Sequence, residues 1–176
     1  MANKIQYFDT GEKDNSNIIH LDLDPKINIE NKIYFKNLLK KIAECSLDNL
    51  EENLENLYHV DAEFNGFHPI NEIKGIEEIK NKYLIPLKKA FPDLERRNNL
   101  VIGGSFRDKV FVSFISHLTG TFKNEWLGVK PTNKTIYLRT CEAHQITNNK
   151  IIKSYTLIDT VDFIRQAGYW LSLIHI

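Results

Sequence analysis

The chain has 176 residues, a formal net charge of zero, 42% hydrophobic and 26% charged residues. This fits one globular domain with a sizeable core. It argues against a nucleic-acid partner, which calls for a basic face. Arg96-Arg97 and Lys88-Lys89 are short basic pairs and read as solvated. Cys45 and Cys141, the two cysteines, are far apart, which excludes a disulfide scaffold and a cysteine metal cluster. The first residues are polar and lack a secretion signal's apolar core, and no apolar run reaches membrane-spanning length, so a cytoplasmic protein with no membrane partner is expected.

In chain order, residues 1–27 are polar and aperiodic and read as a flexible arm. The domain is expected over 28–170. From Ile29, the residues Ile29, Ile33, Leu38, Ile42 and Cys45 predict one broad helical face. Ser46 is the expected N-cap of a second helix with the stripe Leu47, Leu50, Leu54 and Leu57. A strand is expected over Val60–Phe64, then a loop at Asn65-Gly66 and His68-Pro69. Gly75 precedes a third helix with the stripe Ile76, Ile79, Tyr83, Leu87 and Phe91, kinked by Pro86 and ended by Pro92.

Strands are expected over 94–106, 109–122, 135–146 and 150–159, the last two joined by a hairpin turn at Asn148-Asn149. A short helix, Val161–Ala167, stops at Gly168. Helices followed by strands on short turns exclude a doubly wound parallel sheet. An α+β architecture is expected, with an antiparallel, strongly curved sheet packed on its helices.

Three segments carry a family resemblance. The first is His68-Pro69, Gly75, Pro86-Leu87 and Ala90-Phe91-Pro92-Asp93-Leu94. The second is Gly120-Thr121-Phe122, Trp126-Leu127-Gly128 and Pro131-Thr132, with Asn133 where the family often has glycine. The third is Glu142-x-His144, Lys150-Ile151, Tyr155, Asp159 and Arg165-Gln166-Ala167-Gly168. In order and spacing they resemble SnoaL-like polyketide cyclases of the nuclear-transport-factor-2-like superfamily, over about residues 30–168.

The resemblance implies a cone-shaped sheet around the N-terminal helices, with a deep apolar pocket. It implies ring closure by aldol chemistry on a polyketide-like or other apolar small molecule, with no cofactor and no metal. By position, the family's acid/base aspartate looks like Asp159 and its assisting histidine like His144. The match is closest to the first half of longer relatives with two such domains, so a fragment of a longer protein is expected. Residues 171–176 match nothing in the family and read as an unassigned, artefactual tail.

Strand alternation places Ile136, Leu138, Thr140, Glu142, His144 and Ile146 on one largely apolar face, expected to point inward. On the last strand Ile151, Lys153, Tyr155, Leu157 and Asp159 share a face. Tyr155, Leu157 and Asp159 are therefore expected beside Glu142, His144 and Leu138. A carboxylate in such a cavity has its pKa raised by desolvation, towards the basicity that removal of a proton α to a carbonyl demands. Asp159 has a second reading, as N-cap of the final helix. His68 resembles a pocket-lining position. Trp126 either caps the pocket mouth or anchors its loop.

His68, His117 and His144 lack metal-ligand spacing, and no G-x-S-x-G motif is present. Phe111, Ile115 and His117 are expected on the outer sheet face, where an apolar patch would make a homodimer. The alternative to an enzyme is a non-catalytic binding or dimerisation module.

Overall fold

The computed structural model describes residues 23–169. The proposed tail and most of the proposed arm lie outside the described residues. Helix α1 (Pro25–Glu44) starts earlier than the apolar pattern suggests, because Asp24 accepts a hydrogen bond from the Lys26 N–H at 2.7 Å and Pro25 suits the first helical position. Its buried stripe is Phe35, Leu39, Ile42 and Ala43, whereas Ile29 and Ile33 are exposed. Of the expected face, Ile42 is in the core and Leu38 and Cys45 pack against it, while its first members, Ile29 and Ile33, lie on the solvent side. Helix α2 (Leu50–Leu57) buries Leu50, Leu54 and Leu57 but leaves Leu47 exposed, and Asn49 stands at its N-cap.

Strand β1 (Tyr58–Asn65) and the three-residue β2 (Glu72–Lys74), which the sequence pattern did not reveal, form a short antiparallel pair. The third helix is interrupted: α3 (Ile76–Ile79), a π-helical turn (Lys80–Leu84) and α4 (Ile85–Ala90). The kink expected at Pro86 takes this form. Proline lacks the N–H that an α-turn would need, and the wider turn just before it accommodates the break. Ile79, Tyr83, Leu87 and Phe91 are buried as their spacing predicts.

Strands β3 (Glu95–Phe106), β4 (Lys109–Thr121), β5 (Thr135–Thr147) and β6 (Lys150–Ile158) pair antiparallel in succession. Asn148 and Asn149 both take positive φ, as a tight hairpin turn requires, and Arg107-Asp108 do the same between β3 and β4. The curved, unclosed sheet has the order β2-β1-β6-β5-β4-β3. It is mixed, because β1 runs parallel to β6. Helix α5 (Thr160–Gln166) follows directly. The helices pack on one sheet face, with α1 lying mainly against β3. No helix among the described residues is long and apolar enough to cross a membrane.

Candidate functional site

Strand β5 has the phase its alternation predicts. Ile136, Leu138, Thr140, Glu142, His144 and Ile146 are all buried on the helix-facing side. Strand β6 does not keep the expected phase. Gln145 pairs with Lys153 but Ile146 pairs with Ile151, so Ile152 is an extra, bulged residue. A bulge of this kind shifts every later side chain to the other face. Ile151 points inward, and after the bulge so do Ser154, Thr156 and Ile158. Tyr155 and Leu157 are instead exposed, and their expected place in the cavity is corrected to the outer face.

Asp159 follows the outer phase as well. Its carboxylate accepts from the Asp162 N–H at 2.9 Å, capping α5, and lies 3.6 Å from Arg139. Of its two readings, the geometry supports the cap. His68 is exposed in the loop after β1. Trp126 is buried among Phe67, Phe91 and Phe163, where it anchors its loop. Leu138 is fully buried.

Arg96, like Lys88, is a cavity residue that sequence reasoning missed. It was read as half of a solvated pair, yet it is 5% exposed on the inner face of β3. Alternation within the polar stretch Glu95–Asn99 carried no apolar signal to reveal it. Its guanidinium grips Glu142 through both nitrogens: Nη1 donates to Oε1 at 3.2 Å and Nη2 donates to Oε2. Nη2 also donates to Ser116 Oγ at 3.0 Å, and Nε to Asn98 Oδ1 at 2.9 Å. The Phe114 ring lies under the guanidinium. Burial alone would push the Glu142 carboxyl up, but the Arg96 charge and hydrogen bonds outweigh it and hold the group below the usual range. The raised carboxyl pKa expected from an apolar cavity is therefore corrected for Glu142.

His144 is one strand row away. Its Nδ1 lies 2.8 Å from Ser154 Oγ, which in turn donates to Tyr58 Oη at 3.4 Å. Its Nε2 is buried without a hydrogen-bond partner among the described residues. Burial depresses the imidazole to about 4, so the ring is neutral near pH 7. Burial likewise raises the Tyr58 phenol to about 12 and raises Tyr83 further.

Glu142, Arg96, Tyr58, Tyr83, Lys88 and Thr156 line one interior cavity, otherwise apolar, of about 40 Å³ open to the centre of a water-sized sphere. His144 reaches it through the Ser154–Tyr58 chain. Tyr83 and Leu84 enter from the π-helical turn, a distortion that recurs at functional sites. Among the described residues no group of three or more metal-binding side chains converges.

Comparison with known proteins finds three similar solved structures of note. A proposed hydroxylase, AclR from Streptomyces galilaeus, is 18% identical with a TM-score of 0.66, over 82% of this chain and 99% of that one. A proposed SnoaL-like polyketide cyclase from Jannaschia sp. CCS1 is 15% identical with a TM-score of 0.65, over 86% and 99%. A protein of ketosteroid isomerase-like fold from Catenulispora acidiphila, in complex with trimethylamine, is 11% identical with a TM-score of 0.59, over 78% and 97%. At these identities the likeness is one of fold. No curated protein matches. The sequence model of the SnoaL-like polyketide cyclases matches residues 36–167, most of the chain, and the protein belongs to that family.

Proposed function

We propose that this domain is a cofactor-independent, cyclase-type enzyme that removes and returns a proton on a carbonyl compound held in the interior cavity. The observation that carries the reading is one buried carboxylate, Glu142, converging with the donors Arg96 and Tyr83 in an otherwise apolar cavity. Glu142 replaces Asp159 as the base, since Asp159 caps a helix. Glu142 accepts the α-proton. Arg96 N–H and Tyr83 O–H donate to the enolate oxygen, where fixed donors act strongly in a dry site. After the carbon–carbon bond forms, Glu142 gives the proton it took to the new alkoxide, while the Tyr58 hydroxyl, positioned through Ser154 and His144, donates a hydrogen bond to that oxygen. One proton is taken and one is returned.

The test is exchange of the methylene protons of pentane-2,4-dione for deuterium, followed by NMR against the buffer rate. The wild type is expected to accelerate exchange, and Tyr83→Phe to lose roughly 10²–10³-fold, as for removal of one oxyanion donor. No acceleration by the wild type, or an unchanged Tyr83→Phe, contradicts the mechanism. A second reading, a binding module without turnover, is favoured by the tight Arg96 grip that keeps Glu142 a weak base. Binding of the dione without exchange would select it.

We also propose a homodimer, in a cytoplasmic setting, through the outer sheet face. Leu100, Ile115, Cys141 and Leu157 form one cross-strand row over β3–β6, and Leu100, Ile115 and Leu157 are 47%, 41% and 63% exposed. Ile102 and Tyr155 extend it in the next row. The row runs continuously across four strands, so a two-fold axis at the β4–β5 seam would set it against itself in a second copy.

A further inference from the structure

Lys88 is a buried cation with no ion-pair partner among the described residues. It is 7% exposed, and its Nζ donates to Ala43 O at 2.8 Å and Cys45 O at 2.7 Å, the carbonyls at the end of α1. These two bonds and the helix dipole hold the ammonium but leave one of its three N–H donors unused. No carboxylate of a described residue pairs with it. Glu44, whose charge acts on Lys88, instead accepts the Arg96 backbone N–H at 3.3 Å and lies 3.8 Å from Lys40. A buried charge without a counter-charge is costly, and desolvation already lowers the Lys88 pKa.

The rest of the cavity wall points the same way. Of the five N–H groups of Arg96, four are spent on Glu142, Ser116 and Asn98, and one on Nη1 is not. Tyr83 Oη has no hydrogen-bond partner among the described residues and lines the same cavity. Both Glu142 oxygens are engaged by Arg96. The wall therefore offers three unused donors, one of them a full positive charge, against a single carboxylate that is already neutralised.

We propose that the cavity takes a short-chain oxo acid, with the ligand carboxylate against Lys88 and its carbonyl oxygen at Tyr83 and Arg96. This rests on the carbonyl reading above and adds the charge of the substrate. Lys88 is then a specificity residue, supplying the one charge that distinguishes an acid from its neutral analogue. The cavity volume of about 40 Å³ matches a small acid.

The experiment is calorimetric titration of the full chain with pyruvate and acetoacetate, each beside its uncharged amide. The acid of at least one pair is expected to bind about tenfold or more tightly than its amide, as a desolvated charge-assisted contact requires. In Lys88→Met the preference should fall to within about threefold. Should that variant fail to fold, the wild-type acid-to-amide ratio decides alone. Equal or tighter binding of both amides, no binding of either acid, or an unchanged preference in a folded Lys88→Met overturns the proposal. Exchange of the uncharged pentane-2,4-dione does not involve Lys88. If the dione exchanges and the acids do not bind, the oxo-acid proposal falls and the carbonyl reading stands. If the acids bind with the expected preference and the dione does not exchange, the reverse holds.

Discussion

The two faces of the same four strands divide polarity in opposite senses. On the inner face of β3–β6, Arg96, Ser116, Glu142, His144 and Ser154 are each 5% exposed or less, inside a layer of phenylalanine and leucine. On the outer face Leu100, Ile102, Ile115, Tyr155 and Leu157 are exposed, with Arg139 and Asp159 beside them. Burial of polar groups costs free energy unless each is partnered, and exposure of apolar groups leaves surface that association can cover. The inner face is thus where stability and chemistry depend on single hydrogen bonds. The outer face is where substitutions should act on assembly and leave the fold intact.

The largest expected effect comes from breaking the inner ion pair. Glu142→Gln leaves the Arg96 charge buried without compensation and should cost about 3–5 kcal/mol in denaturant unfolding. Replacing both partners, Arg96→Met with Glu142→Leu, should recover most of that loss, because a well-packed apolar pair avoids the desolvation cost. A double variant no more stable than Glu142→Gln would mean that the pair is not what holds this face together.

Acid should find the inner face next. His144 has a folded pKa of about 4 against 6.5 for the free side chain. Between those values the unfolded chain binds the extra proton, so stability rises with pH through the window and falls as pH drops from 6.5 towards 4. Glu142, held low by Arg96, adds a further loss below its ordinary range of about 4.5. Denaturant titrations at pH 7 and 5 should differ by on the order of 2 kcal/mol. His144→Gln should flatten the difference, and an equally steep profile in that variant would contradict the buried neutral histidine.

Outer-face substitutions should move less. Leu157→Glu should shift monomer stability by no more than about 0.5 kcal/mol while reducing the light-scattering mass from dimer to monomer. A monomeric wild type at micromolar concentration would remove the dimer. The smallest effect is expected from Asp159→Asn. Asparagine caps helices about as well as aspartate, so the melting temperature should barely move, and dione exchange should be unchanged. Loss of exchange in this variant would return the acid/base role to Asp159.

The comparison also shows what sequence pattern can carry. The four successive strands β3–β6, the hairpin at Asn148-Asn149 and the inward phase of β5 were legible, because each rests on local turn chemistry or unbroken alternation, whereas β2 and the parallel pairing of β1 with β6 were not. The phase of β6 was not. Ile151 and Ile152 are both apolar, so nothing in the residue types marks Ile152 as the bulge that turns Tyr155, Leu157 and Asp159 outward. The stripe on α1 was misread for a related reason: Ile29 and Ile33 continue an apolar pattern onto a solvent-facing side. Arg96 and Lys88 were hidden by composition. Each stands in a basic pair whose other member, Arg97 or Lys89, is exposed. Only the packing of β3 and α4 tells the buried cation from the solvated one.

Ligand chemistry belongs to the inner face if the cavity there is the binding site. Amide chemical shifts of the isotope-labelled protein, followed during addition of pentane-2,4-dione, test it most directly. The largest changes are expected at Tyr58, Tyr83, Arg96, Glu142 and Thr156, with Ile115, Cys141 and Leu157 unmoved. Changes confined to the outer residues, with the cavity wall silent, would contradict it.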